Sequence, residues 1–278
     1  MKKLVTSLVL MAMVVSAPAA FAHFQMIYTP KAALGEGDAS KIPLTLVFTH
    51  PFEAGHTMNM GMDASGEIHA PTMFSVTNKG TTTDLLESLK PITFKSLTNE
   101  GQGYETSYRL KGMGDFIFCL DPGPYYEESE ESYIQQITKV IVNKGGAPTD
   151  WDAELGLPVE IVPLDKPYAL WTGNVFRGVV MRKEGDKMVP VPFAEIEVEY
   201  MNHDIDGNSF VKAAKVEAPN DNMVTMGIKA NKDGEFSFGI PKAGWWGFCA
   251  LGAGGDLQYD GKALSLDAVI WIQAVDID

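Results

Sequence analysis

Short apolar runs separated by glycine-rich turns recur along the chain, and they predict β-strands. The run from Ile42 to Thr49 is β-branched and apolar, as strands are, and it delivers His50 at its end. Comparable runs at residues 24–28, 73–77, 92–97, 104–110, 114–120 and 134–143 predict further strands, while 84–89 predicts a short helical turn or loop. Strands at this spacing favour an antiparallel β-sandwich.

The second half of the chain shows the same pattern. In the run from Glu195 to Tyr200, apolar residues alternate with glutamates, which predicts a strand with one buried face. Three motifs resemble the small transthyretin-like or carboxypeptidase-regulatory β-sandwich: Val189-Pro190-Val191-Pro192, Gly234-Glu235-Phe236-Ser237-Phe238 and Gly244-Trp245-Trp246. We therefore expect an all-β protein with two antiparallel β-sandwich domains, residues 23–166 and 167–278, of which the second is transthyretin-like.

Residues 1–22 have the pattern of a signal peptide. Lys2 and Lys3 precede an apolar run from Leu4 to Val15, which is shorter than the roughly 20 residues that a membrane-spanning helix needs. Ala20-Phe21-Ala22 then matches the Ala-x-Ala cleavage signal. The sequence predicts cleavage after Ala22 and a periplasmic protein that begins at His23.

A strongly acidic composition argues against several classes of function. The formal net charge is −14, from 36 acidic and 22 basic side chains, which disfavours nucleic acid or an anionic membrane surface as a partner. The sequence contains no Gly-x-Ser-x-Gly, His-Glu-x-x-His, P-loop or dinucleotide-binding glycine motif. We therefore expect a binding protein and not an enzyme.

The two cysteines, Cys119 and Cys249, leave two interpretations open. Export to an oxidising compartment permits a disulfide between them. Each cysteine nevertheless lies inside an apolar run, and free buried cysteine behaves as a small apolar residue. The apolar neighbours favour free thiols.

Three of the five histidines fall near the start of the predicted mature protein. After cleavage, His23 has a free α-amine beside its imidazole, and these two nitrogens can chelate one metal ion. His50 follows a predicted strand, and His56 lies in the glycine-containing loop after it. Nitrogen ligands of this kind suit nickel, cobalt, copper or zinc. Because the imidazoles must be neutral, we expect binding to fail below about pH 6.

Weaker candidate ligands are methionines and one more histidine. Met58, Met60 and Met62 alternate at strand spacing, and such a stripe is more often part of a core. If its thioethers face the histidines instead, they favour cuprous copper. His203 lies in the polar segment 202–208, which lacks the spacing of a calcium loop and predicts a polar loop.

Two other features are more typical of solvated loops. Glu127, Glu128, Glu130 and Glu131 follow two tyrosines, where they could also rim a cation site. His69 lies beside Glu67, and we expect it to be a loop residue without a role.

Several segments occur in an order that carries a wider resemblance. They are Ala22-His23-Phe24, Thr49-His50-Pro51-Phe52-Glu53, Pro122-Gly123-Pro124-Tyr125-Tyr126, Thr138 to Asn143, Leu155-Gly156-Leu157-Pro158 with Ile161 to Leu164, and Gly173 to Gly178. Together they resemble the periplasmic accessory proteins of nickel and cobalt uptake, the NikM type. The resemblance implies capture of nickel or cobalt for an energy-coupling-factor transporter of the inner membrane, with His23 and His50 as ligands.

At one position the chain departs from the pattern that the resemblance implies. A histidine is expected shortly before the Thr138-Lys139 pair, where this chain has Gln135-Gln136. If that histidine is a ligand, His56 or a methionine takes its place here.

Three hypotheses follow from the sequence. The first is periplasmic binding of nickel or cobalt by His23, His50 and His56. The second is copper handling by His23 with the methionine stripe. The third is a metal-free carbohydrate-binding or adhesion sandwich, which requires Trp245, Trp246 and Trp271 as exposed platforms.

Overall fold

The computed structural model describes residues 23–277. The predicted signal peptide, residues 1–22, and its cleavage site lie outside the described residues. Among residues 23–277, the only helices are two three-residue 3-10 turns, Leu86–Ser88 and Asp221–Met223, and no helix has the length and apolar character of a membrane span. The prediction of an all-β fold is confirmed.

The first half contains twelve strands: β1 (Phe24–Tyr28), β2 (Ala33–Leu34), β3 (Lys41–Thr49), β4 (Thr57–Met58), β5 (Met73–Asn78), β6 (Thr81–Asp84), β7 (Lys90–Lys95), β8 (Glu100–Arg109), β9 (Gly114–Asp121), β10 (Tyr125–Glu127), β11 (Ser132–Lys144) and β12 (Val159–Pro163). The second half contains eleven: β13 (Leu170–Trp171), β14 (Val175–Glu184), β15 (Lys187–Pro190), β16 (Glu195–Tyr200), β17 (His203–Asp206), β18 (Ser209–Ala214), β19 (Thr225–Lys229), β20 (Glu235–Gly239), β21 (Gly244–Ala250), β22 (Leu257–Tyr259) and β23 (Lys262–Val275).

The strands form three sheets. A seven-stranded sheet has the order β1-β3-β8-β7-β18-β17, with β4 beside β3. A twelve-stranded sheet has the order β19-β16-β21-β23-β11-β9-β5-β6, with β2 and β10 beside β11 and with β13 and β22 beside β23. A four-stranded sheet has the order β12-β14-β15, with β20 beside β14.

The twelve-stranded sheet lies between two hydrophobic cores. On one face Phe24 of β1 meets Trp271 of β23 edge-on, with ring centroids 5.7 Å apart. On the other face Phe248 of β21 contacts Phe176 of β14, with centroids 5.0 Å apart. Because side chains alternate along a strand, Phe248 and its neighbour Cys249 belong to opposite cores. The architecture is a layered β-sandwich.

The two halves of the chain share this central sheet. β11 of the first half pairs in parallel with β23 of the second, with Tyr133 opposite Leu264 and Val140 opposite Trp271. Main-chain hydrogen bonds therefore join the halves. The predicted boundary between residues 166 and 167 stays a prediction.

Both cysteines and three tryptophans lie in the cores. Cys119 and Cys249 are buried and free. Trp245, Trp246 and Trp271 are at most 4% exposed. A carbohydrate-binding sandwich needs these indoles as exposed platforms, so their burial removes the feature on which that hypothesis depended.

Candidate metal centre

Three histidines stand in a row because three strand ends pair in register. β1 and β3 are antiparallel, with Phe24 opposite Thr49. The next residue at each end is a histidine, so His23 lies opposite His50. The pairing of β3 with β4 continues this row, because the His50 amide donates to the His56 carbonyl at 3.2 Å. The ring centroids are 4.8 Å apart for His23 and His50, and 5.9 Å apart for His50 and His56.

A carboxylate orients the first imidazole of the row. Glu127 Oε2 lies 3.1 Å from His23 Nε2, and the two side chains are only 12% and 19% exposed. Hydrogen bonds from His23 and Ser129 lower the pKa of Glu127 to about 2, so the carboxylate is ionised and accepts. Nε2 then carries the hydrogen, and Nδ1 keeps its lone pair. That tautomer leaves Nδ1 of His23 available to a metal ion, and cleavage after Ala22 would add the α-amine of the same residue.

The short strand β10 places Glu127 beside the histidines. It pairs with β11, with Tyr125 opposite Ile134. The ring of Tyr125 packs edge-on against Phe48 of β3, with centroids 5.2 Å apart. The Ser129 hydroxyl donates to Glu127 Oε1 at 2.6 Å, which leaves Oε2 directed at His23.

The central imidazole of the row stays neutral over a wide pH range. Burial, together with the neighbouring His23 and His56, lowers the pKa of His50 to about 4. The neutral ring is the form that binds metal. Protonation of His50 therefore does not set the limit near pH 6 that the sequence predicts for binding.

The loop 51–55, which joins the second and third histidines, is anchored by hydrogen bonds to other parts of the chain. The Phe52 amide donates to Glu199 Oε2 of β16 at 3.3 Å. The Ala54 carbonyl accepts from the Leu97 amide at 2.7 Å. Glu199 is 1% exposed, and its burial raises its pKa to about 8. Glu199, a buried acid in the second half of the chain, thus holds the loop between His50 and His56.

The histidine row opens into a cleft of about 740 Å³. Acidic, aromatic and thioether side chains line it as well, among them Met58, Met62, Asp63, Tyr125, Glu127 and Glu131. A concave surface of negative charge attracts cations. The cleft therefore combines nitrogen ligands with a field that favours a positive ion.

The methionines do not form the single stripe that their spacing predicts. β4 ends at Met58, and Gly61 adopts a left-handed φ of 77°, so the strand pattern stops there. Met58 and Met62 line the cleft, and Met60 does not. Met58 and Met60 are 3% and 1% exposed, and both pack in the core. Two of the three thioethers accompany the histidines.

His203 is not part of this cleft, and the prediction of a polar loop around it is wrong. It begins β17 and is 4% exposed. Its Nδ1 lies 2.8 Å from the Val211 carbonyl, and its ring packs near Phe210. The pairing of β17 with β18 makes a strand of residues whose composition is that of a loop, and within that strand His203 is buried whereas Asp204 and Asp206 stay exposed.

A second, exposed cluster lies at the rim of the cleft, where a small hairpin brings Asp63, Glu67 and His69 onto one face. One possible ligand atom from each lies within 4.8 Å of the others. His69 Nε2 is 2.8 Å from Asp63 Oδ2. The other Asp63 oxygen accepts from the Ser65 amide at 2.8 Å and the Ser65 hydroxyl at 2.7 Å. This carboxylate is largely occupied in closing its own turn.

The contact of Glu127 with His23 could not be predicted from the sequence, because Glu127 is one of four neighbouring acids with no feature that separates it from the others. The local signal is weak, because β10 has only three residues. The two tyrosines before Glu127 are a local signal, because the ring of Tyr125 packs against Phe48 and fixes the position of β10. Contacts of this range follow from the fold and not from local spacing.

A family model described as a domain of unknown function, DUF4198, matches residues 20–254. The chain belongs to the DUF4198 family. The match covers the histidine row, Glu127 and most of the central sheet, so these features lie within the DUF4198 region. No curated protein matches the chain.

Solved structures give only distant likenesses for this DUF4198 protein. The D0-D1 domain of intimin is 11% identical with a TM-score of 0.21, over 91% of this chain and 100% of that one. The Yersinia pseudotuberculosis adhesin InvE is 13% identical with a TM-score of 0.22, over 88% and 58%. Latent PorU from Porphyromonas gingivalis is 10% identical with a TM-score of 0.23, over 95% and 21%. At these scores the likenesses carry no argument about function.

Proposed function

We propose that this protein binds a divalent transition metal, nickel or cobalt, in the periplasm through His23, His50 and His56. The observation that carries the proposal is the row of three imidazoles, in which His23 and His50 are 4.8 Å apart by ring centroid. Rings this close can turn nitrogen atoms toward one ion. Imidazole ligands suit nickel, cobalt, copper and zinc, and disfavour calcium and magnesium.

The α-amine that signal cleavage would expose supplies a further nitrogen. His23 then offers the amine and Nδ1 to the same ion, while Nε2 donates to Glu127. A carboxylate behind a ligating imidazole is the usual outer partner in metal sites, because it fixes the tautomer and raises ligand basicity. The buried Glu127 contact supports this assignment.

Delivery to a transporter is the other half of the proposal. The resemblance to nickel and cobalt uptake proteins supports an energy-coupling-factor transporter in the inner membrane as the partner. The acidic cleft supports capture of a cation at low concentration. We expect no nucleic acid partner and no enzymatic activity.

Calorimetry with Ni²⁺ and Co²⁺ tests the proposal. The processed protein, which begins at His23, is compared with a form that carries a Gly-Ser extension long enough to keep the new amine away from the His23 ring. We expect affinity to fall by at least about 10-fold in the extended form, because even outer partners of metal ligands contribute about 10- to 100-fold. Equal affinities would exclude the terminal amine, and no binding to either form would overturn the proposal.

Copper is the second candidate, because Met58 and Met62 line the cleft beside the histidines. Thioethers favour cuprous copper. Met58→Leu with Met62→Leu should then weaken Cu⁺ binding strongly and leave Ni²⁺ binding unchanged. Met60→Leu is the matched control, because Met60 does not line the cleft. Tighter Cu⁺ than Ni²⁺ binding that depends on the two thioethers would favour the copper function.

A further inference from the structure

The residue that matters most to the proposed site is also the one with the least backbone support. β1 begins at Phe24, so His23 precedes the first strand. In a protein processed after Ala22, His23 is the terminal residue. Its two nitrogens can meet the His50 ring only if its main chain is fixed.

A buried side chain from the central sheet holds this main chain. Gln136 of β11 is 3% exposed. Its Nε2 donates to the His23 carbonyl at 2.7 Å, and its Oε1 accepts from the Gln25 amide at 2.7 Å. Because a carbonyl only accepts and an amide only donates, these partners fix which way round the Gln136 amide lies.

The second half of the chain holds Gln136 in turn. Its Nε2 lies 3.3 Å from Asp267 Oδ2 of β23 and 3.3 Å from Cys249 Sγ of β21. Asp267 is itself held by the Gly252 amide at 2.8 Å and the Ser265 hydroxyl at 2.5 Å. Hydrogen bonds therefore link Asp267 of β23, through Gln136 of β11, to the backbone of His23.

We infer that Gln136 is the positioning residue of the metal centre, holding the His23 backbone so that its amine and Nδ1 meet the neighbouring imidazole. The inference rests on the proposed function. Glu127 directs the His23 ring and Gln136 directs its main chain, so the two fix the chelating residue from opposite ends. Gln136 touches no metal in this arrangement and acts only through His23.

The adjacent glutamine provides a matched control. Gln135 Nε2 donates to Asp121 Oδ1 at 2.7 Å and makes a contact away from the histidines. Gln136→Met and Gln135→Met each replace an amide by an apolar side chain of similar length. We expect Gln136→Met to lower Ni²⁺ affinity by about 10- to 100-fold and to change the absorption spectrum of bound Co²⁺, as outer partners of metal ligands do. Gln135→Met should do neither.

The outcomes separate the inference from the function on which it rests. If the unaltered protein binds and Gln136→Met keeps its affinity and Co²⁺ spectrum, or if Gln135→Met loses as much, Gln136 has no positioning role. If the unaltered protein binds neither metal, the proposed function itself fails. Should Gln136→Met not fold, as judged by circular dichroism, Gln136→Asn is used, because it keeps an amide but is too short to reach His23; the same comparison then decides.

Discussion

One histidine–carboxylate pair lies in the cleft, and a second lies at its rim. Both pairs have a short contact between imidazole and carboxylate, but they differ in exposure and in their neighbours. His23 Nε2 is 3.1 Å from Glu127, and His69 Nε2 is 2.8 Å from Asp63. In the first pair the side chains of His23 and Glu127 are 19% and 12% exposed. In the second pair those of His69 and Asp63 are 53% and 25% exposed. The first pair lies beside another imidazole, and the second lies beside the exposed Glu67.

Proximity of possible ligands does not by itself make a metal site. At the rim cluster, Asp63 closes its own turn through Ser65, and exposed ion pairs contribute little. At the histidine row, the buried side chains of Gln136 and Glu199 hold the main chain around the histidines. The histidine row differs from the rim cluster in that side chains outside the row hold its backbone in place.

Removing one imidazole from each region should give the largest contrast. His50→Ala deletes one of the three proposed ligands, and we expect Ni²⁺ affinity to fall by more than about 100-fold, since even outer partners contribute about 10- to 100-fold. His69→Ala should leave affinity unchanged. Calorimetry on both variants makes the comparison, and a larger loss for His69→Ala would move the site to the rim cluster.

Removing one carboxylate charge from each region should give a smaller contrast. Glu127→Gln no longer enforces the His23 tautomer that leaves Nδ1 for metal, so we expect about a 10-fold loss of Ni²⁺ affinity. Asp63→Asn is the matched change at the rim and should affect loop stability only. Competition with a coloured chelator measures both, and equal losses would show that the acidic field, and not orientation, is what matters.

The smallest effect is on the stability of the metal-free protein as a function of pH. Burial raises the pKa of Glu199 from 4.5 to about 8, so its contribution is full below 4.5 and is lost as the pH rises through about 8. Hydrogen bonds from Ser65 and His69 lower the pKa of Asp63, so its contribution is lost as the pH falls. Thermal melts should show that Glu199→Gln flattens the stability curve only between pH 4.5 and about 8, and that Asp63→Asn flattens only its acidic side. An unchanged slope between pH 4.5 and about 8 in Glu199→Gln would contradict the assignment.

Local pattern was sufficient for the strands and for part of the site. The apolar run before His50 predicts β3 correctly, and it predicts that the histidine lies at a strand end. The predicted cleavage after Ala22 singles out His23 as a possible ligand. Burial of Trp246 also follows from its apolar neighbours.

The rest depends on pairings between distant parts of the chain. The hydrogen bond from Gln136 to His23 spans 113 positions, and Asp267 lies a further 131 positions along. Such contacts exist only because β11 pairs with β23. The polar-loop prediction around His203 fails for the same reason, since pairing with β18 makes residues 203–206 a strand and buries His203.

The central claim is that the ion binds at the histidine row and not at the rim. An anomalous difference map from crystals of the processed protein grown with Ni²⁺, recorded at the nickel absorption edge, tests it most directly. The account predicts one strong peak bonded to the amine and Nδ1 of His23, to His50 and to His56. A peak at Asp63 and His69, with none at the row, would contradict it.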